Sequence, residues 1–211
     1  MTIEITPRDV LVVVDVQYDF LPGGSLAVAG GDEIVPLINT LAAHFTNVVF
    51  TQDWHPADHI SFASQHPGKA PFETVELAYG TQVLWPDHCT WNTRGAALSA
   101  DLDIPHGQLI VRKGYNRAVD SYSGFQEADR QTRTGLAGYL AERDLGRLFV
   151  VGLATDFCVG WTAIDARAAG YNTTVIEDAT RAIDANGSLE RAWADMKTAG
   201  VSRLQSRDIL G

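Results

Sequence analysis

The sequence predicts an α/β protein, a three-layer α/β/α arrangement around a central, mostly parallel sheet of about six strands. Two observations predict it. Short, continuously apolar runs rich in Val, Ile and Leu recur along the chain, the pattern of strands buried on both faces. Segments with apolar residues at helical spacing separate those runs, and strand–helix alternation implies a parallel sheet with helices on both sides. The length, 211 residues, suits one domain spanning 1–211 with elaborated loops.

The elements follow in order. Residues 10–16 form the first apolar run, ending around Asp15 and Gln17. Gly30 and Gly31 precede Asp32, and Ile34, Leu37, Ile38, Leu41 and Ala42 then fall on one helical face. Residues 47–51 read as the second strand, 108–111 as the third, 148–153 as the fourth and 173–176 as the fifth. Helices are expected near 135–143, 156–169 and 187–199, with a last short strand at 201–204. Two stretches break the alternation. Residues 53–106 are irregular, with four of the six histidines and the prolines Pro56, Pro67, Pro71 and Pro86 falling within 53–104, while 114–134 are polar and irregular. Long irregular loops in a compact domain are usually functional or disordered, and the aromatic content here favours ordered loops that form a site.

Composition narrows the function. A net charge of −10 argues against nucleic acid and against anionic membrane surfaces. No apolar stretch approaches the roughly 20 residues of a membrane span, and residues 1–9 lack a basic region followed by an apolar run. The two cysteines, Cys89 and Cys158, sit in dissimilar contexts. A disulfide framework is therefore not expected, and a reducing, cytoplasmic compartment is.

In open α/β sheets, ligands bind beyond the carboxyl ends of the strands. Asp15, Asp53, Lys113 and Cys158 stand at four such ends. Cys158 falls in the first turn of an expected helix, where unpaired N–H groups and the positive end of the dipole favour thiolate. Asp15 can take the thiol proton as general base. Lys113 can hold that carboxylate and favour the thiolate. The backbone N–H of Cys158, and one from the turn at Ala154 and Thr155, can form an oxyanion hole. A Cys–His pair would need a histidine at a neighbouring strand end, and none stands there. Beside this set, Asp53 and His55 are two apart, so an extended segment points both the same way. His88 can supply a third ligand, and one carboxylate with two imidazoles leaves positions open, as in catalytic metal sites. Cys89 reads as a packed side chain, and His59 and His66 as surface loop histidines.

Taken together, these motifs resemble the nicotinamidase branch of the isochorismatase-like cysteine hydrolases. The resemblance runs over nearly the whole chain: residues 14–26 around Val14-Asp15-Val16-Gln17, Thr51-Gln52-Asp53-Trp54-His55-Pro56, Trp85-Pro86-Asp87-His88-Cys89, Lys113-Gly114, and Ala154-Thr155-Asp156-Phe157-Cys158-Val159. It implies conversion of nicotinamide to nicotinic acid and ammonia, and of pyrazinamide to its acid, through a cysteine thioester in NAD salvage. It implies Cys158 as nucleophile, Asp15 as base, Lys113 as the third member, and the N–H groups of Ala154 and Cys158 as the oxyanion hole. Asp53, His55 and His88 would hold a divalent metal, zinc or iron, on the ring nitrogen. Phe20, Leu26, Trp85 and Tyr122 would line the ring pocket. It also implies a cis peptide bond before Thr155. Tyr18 departs from the family's usual Asn, and a role for His59 at the metal stays open. The expected partner is a small-molecule substrate; a homo-oligomer is left open. The alternatives are a relative acting on another small amide or carbamoyl group, and a non-catalytic metal-binding domain.

Overall fold

The computed structural model describes residues 2–211. Strand β1 (Asp9–Val14) leads to helix α1 (Val35–Ala42) and strand β2 (Asn47–Asp53). A hairpin follows, β3 (Thr74–Leu77) and β4 (Gly80–Val83), then β5 (Leu109–Lys113) and α2 (Leu136–Glu142). Next come β6 (Arg147–Leu153), a wide π turn (Thr155–Val159), α3 (Gly160–Ala168) and β7 (Asn172–Arg181). Helix α4 (Ser188–Thr198), β8 (Ser202–Leu204) and α5 (Arg207–Leu210) complete the order. Among the described residues no helix is long and apolar enough to cross a membrane.

The main sheet has six parallel strands in the order β5-β2-β1-β6-β7-β8. The alternation of β1 explains why its sequence reads as uniformly apolar. Leu11 and Val13 face one core with α1, through Ile38 and Leu41. Val10, Val12 and Val14 face the other with α2, α3 and α4, through Leu136, Leu140, Ala163 and Met196. From β1 the chain winds outward one way through β2 and β5, then the other way through β6, β7 and β8. The reversal places a crevice between the ends of β1 and β6, the place where such sheets bind ligands.

Several boundaries differ from those expected. β1 stops at Val14 because Asp15 takes a left-handed conformation, φ 49°, which ends the ladder. β7 runs on to Arg181, because it rejoins β6 after a register shift between Val150 and Gly152. Gly152 is required there: its φ is 112°, and a Cβ would lie 2.1 Å from the Val14 carbonyl oxygen. The helix expected from 156 begins instead as the π turn, in which the Val159 N–H reaches back to the Ala154 oxygen at 3.1 Å. The β3–β4 hairpin was not anticipated. Its strands have four residues each and sit largely exposed, so they carry little apolar signal.

Candidate active site

The four strand-end residues come from four adjacent strands. Asp53 and Lys113 are register partners at the ends of β2 and β5, Asp15 follows β1, and Cys158 lies in the turn after β6. Lys113 is fully buried. Its Nζ lies 2.8 Å from Asp15 Oδ2, donates to Ser121 O at 3.1 Å and to Cys158 Sγ at 3.3 Å, and bonds closely to Asp53 Oδ1. Asp15 Oδ1 accepts from the Thr51 hydroxyl at 2.6 Å. Asp15, Asp53 and Cys158 present atoms within 4.8 Å of one another.

Burial alone would strip Lys113 of its proton, but Asp15 and Asp53 outweigh it and hold the ammonium well above its ordinary range. Burial would raise Asp53, yet the Lys113 ammonium leads the groups that keep it well below the usual carboxylate range. Asp15 goes the other way: burial raises it, Lys113 offsets only part, and the Asp53 charge raises it further. A carboxylate so shifted is a better proton acceptor. Burial also pushes the Cys158 thiol well up; Lys113 opposes this, and Asp15 and Asp53 add to it. The thiolate expected from a helix start is therefore not favoured in the free site. Desolvation and two carboxylates outweigh one ammonium and a turn dipole.

The expected metal ligands converge. Asp53 Oδ2 lies 3.6 Å from His55 Nε2 and 3.7 Å from His88 Nε2. Each histidine has Nδ1 at 2.8 Å from a backbone oxygen, Gly114 O for His55 and Pro86 O for His88. A carbonyl only accepts, so Nδ1 carries the proton and Nε2 keeps its lone pair toward Asp53. Gly114 allows this: its φ is 67°, and a Cβ there would lie 2.3 Å from His55 Cε1. Two imidazole lone pairs and a carboxylate oxygen converging in a buried site fit a divalent cation. His59, expected at the surface, is instead fully buried, with its ring centroid 4.3 Å from that of His55 and Asp120 as a further neighbour. Its nitrogens are both engaged, Nδ1 with the Ser61 hydroxyl at 2.7 Å and Nε2 with Val119 O at 3.2 Å. Burial, then the neighbouring His55, pushes its pKa down to about 4. Cys89 is packed in the core, with its N–H on Asp19 Oδ2 at 2.7 Å.

Phe20, Leu26, Trp85 and Tyr122 line one small cavity together with Asp53, His88, Ala154 and Cys158. Asp120, Phe157 and Ile183 also line it; these were not singled out from the sequence as site residues. Tyr122 is held by Trp85 Nε1 and by Gln82 Nε2, each 3.0 Å from its hydroxyl. Gln82 Nε2 also donates to Asp120 Oδ2 at 2.6 Å. The unanticipated hairpin thus supplies a buried glutamine that props the aromatic wall. Phe157, beside the cysteine in sequence, packs edge-on against Trp85 at 4.9 Å. The cis peptide bond is Leu153–Ala154, one residue before the position expected, in the peptide that carries the Ala154 N–H.

The Isochorismatase domain model matches residues 9–207. The chain belongs to the isochorismatase family. Within that family it is 60% identical over 200 residues to a nicotinamidase of Acinetobacter baylyi, spanning 95% of this chain and 94% of that protein. The structure of an Acinetobacter baumanii nicotinamidase/pyrazinamidase matches this family member with a TM-score of 0.95 at 60% identity, covering 96% of this chain and 98% of that one. A Pyrococcus horikoshii pyrazinamidase, solved in complex with zinc, matches with a TM-score of 0.77 at 34% identity, covering 94% and 99%.

Proposed function

We propose that this chain is a metal-dependent nicotinamidase of the cytoplasm. It hydrolyses nicotinamide to nicotinic acid and ammonia in NAD salvage, and hydrolyses pyrazinamide to its acid. The observation that carries the reading is the Asp53 carboxylate. One oxygen bonds Lys113, beside Cys158, and the other faces the paired Nε2 atoms of His55 and His88. A thiol site and a cation site thus share one wall of a small, aromatic-lined cavity. The Acinetobacter relatives support the substrate and the zinc-bound Pyrococcus homologue supports a divalent metal, for which we propose zinc or iron.

Asp53, His55 and His88 would hold the metal. When bound it supplies a fixed Lewis-acid contact that orients a pyridine nitrogen. The rest falls to the chain. Phe20, Leu26, Trp85 and Tyr122 enclose the ring and exclude water. The Cys158 thiol passes its proton to Asp15 as sulfur bonds to the carboxamide carbon. Lys113 stabilises the negative charge that results and keeps Asp15 in reach. The N–H groups of Ala154 and Cys158 receive the carbonyl oxygen as it becomes an oxyanion. Asp15 returns the proton to the leaving nitrogen, the C–N bond breaks, and ammonia departs. Water, deprotonated by Asp15, then cleaves the thioester, giving the acid and restoring the thiol.

Ammonia release over a panel of small amides, with metal content measured on the same sample, tests the reading. Nicotinamide and pyrazinamide should be turned over and simple aliphatic amides spared. Absence of ammonia from nicotinamide in metal-replete protein would overturn it.

A further inference from the structure

The cavity at Cys158 holds about 20 Å³, room for roughly one water, so a pyridine carboxamide enters only if a wall yields. Most of the wall is fastened inward. Trp85 and Tyr122 share a hydrogen bond, and Phe20 is buried in the core. Ile183 differs. It is half-buried and comes from the segment joining β7 to α4. In that segment Asp184, Asn186 and Gly187 all have left-handed backbones, φ 52°, 54° and 75°, which side chains other than glycine resist.

One buried side chain fastens this segment at three points. Asp156, buried at 6% exposure, accepts the Ile183 N–H on Oδ1 at 3.1 Å. Its Oδ2 accepts the Asp184 N–H at 2.8 Å and the Ser188 hydroxyl at 2.5 Å. Beyond the segment lies a second cavity of about 320 Å³, walled by Asp156, Phe157 and Ser188 among others. Phe157 is common to both cavities. The clasped segment and Phe157 therefore form a partition between a roomy outer space and the closed inner one.

We propose that Asp156 is a positioning residue whose carboxylate clasps segment 183–188, so that Ile183 closes the ring pocket and limits the bulk of the ring that reaches Cys158. This rests on the reading that Cys158 attacks a ring amide. Asp156 contacts neither that amide nor the reacting sulfur. It acts through Ile183, and the clasp must loosen for a ring to pass between the two cavities.

Asp156→Asn keeps the volume but removes an acceptor of two charge-assisted bonds. It should raise KM for nicotinamide about tenfold while kcat falls by less than about threefold. A merely structural loss would lower kcat through the active fraction and leave KM alone. Ile183→Ala should produce the same relaxation, admitting ring-methylated nicotinamides that the unaltered enzyme rejects. The double variant should be no worse than either single one. A readout independent of turnover is alkylation of Cys158, followed by peptide mass, with iodoacetamide and with bulky N-phenylmaleimide. The bulky-to-small rate ratio cancels any change in thiol ionisation. It should rise several-fold in Asp156→Asn and in Ser188→Ala, which serves if the first variant does not fold. An unchanged ratio together with an unchanged KM overturns the proposal. If the unaltered protein releases no ammonia from nicotinamide, the functional reading fails while the alkylation ratio still decides the clasp.

Discussion

The two halves of the site are built differently. The half around Cys158 stands on the ends of β1, β2, β5 and β6, where ladder register places each residue. Asp53 and Lys113 face one another because β2 and β5 are paired. The half that would receive the ring is assembled from loops: His55 and His88, Trp85, Tyr122 and Ile183, propped by Gln82 and Asp120. On the proposed mechanism, reactivity is set by a rigid sheet edge, and recognition by side chains that hold each other. The same division should separate changes in kcat from changes in KM.

The largest effect belongs to the sheet edge. Cys158→Ala should lose turnover by at least about a thousandfold and leave the melting temperature nearly unchanged, as read by ammonia release and calorimetry. Lys113→Met should abolish turnover as well, but it strands two buried carboxylates. That costs about 3–5 kcal/mol, a fall in Tm of roughly 10 °C for a chain of this size. If the two variants lose stability equally, Lys113 is not the keystone of the charge cluster.

In the recognition half, His55→Ala or chelation should cost nicotinamide far more than benzamide, which has no ring nitrogen. If that contact is worth about 3 kcal/mol, benzamide should be roughly a hundredfold slower in kcat/KM with the intact enzyme. Benzamide turned over within a few-fold of nicotinamide would remove the ring nitrogen from recognition. A smaller change is expected from Gln82→Ala, which frees the Tyr122 wall. KM should rise by about five- to tenfold with kcat held, and equal falls in both constants would place Gln82 in the chemistry instead.

The smallest effect lies outside both halves. Glu127 is 2% exposed, and among the described residues neither carboxyl oxygen has a hydrogen-bond partner within 3.5 Å. Burial, then Asp129 and Asp120, push its pKa from 4.5 up to about 7. Below 4.5 both folded and unfolded chains hold the proton, so no penalty exists. As pH rises toward 7 the unfolded chain ionises first, and stability is lost. Glu127→Gln should therefore melt about 2–5 °C higher than the unaltered protein at pH 8, with the gap closing near pH 4.5. A gap that does not vary with pH would show that the carboxyl is not the cause.

The division also explains what was legible in the sequence. The sheet and its helices were, because a strand buried on both faces must be apolar throughout and a covering helix must carry an apolar stripe. Asp15 and Lys113 stood out as polar residues that end such runs. His55 was singled out by its spacing from Asp53, and His88 as a third ligand; their tautomers depend on the backbone oxygens of Gly114 and Pro86, which no local pattern reveals. Gln82 and Asp156 were invisible for the same reason. A buried polar residue on a short exposed hairpin, or two places before Cys158, gains meaning only from partners 40 and 27 residues away. The raised thiol of Cys158 was misjudged because helix-start electrostatics is local, whereas desolvation belongs to the folded whole.

The central pairing of β1 with β6 has a consequence for assembly. Asp9 and Arg147, partners in that ladder, are 138 residues apart. The strand that leads to Asp15 is thus completed only by the strand that leads to Cys158, after a very long loop has closed. Sheets with such distant pairings form slowly. The crevice between β1 and β6 can exist only once that pairing is made, so catalytic competence should appear with the last cooperative phase of refolding rather than with early gains in helix signal.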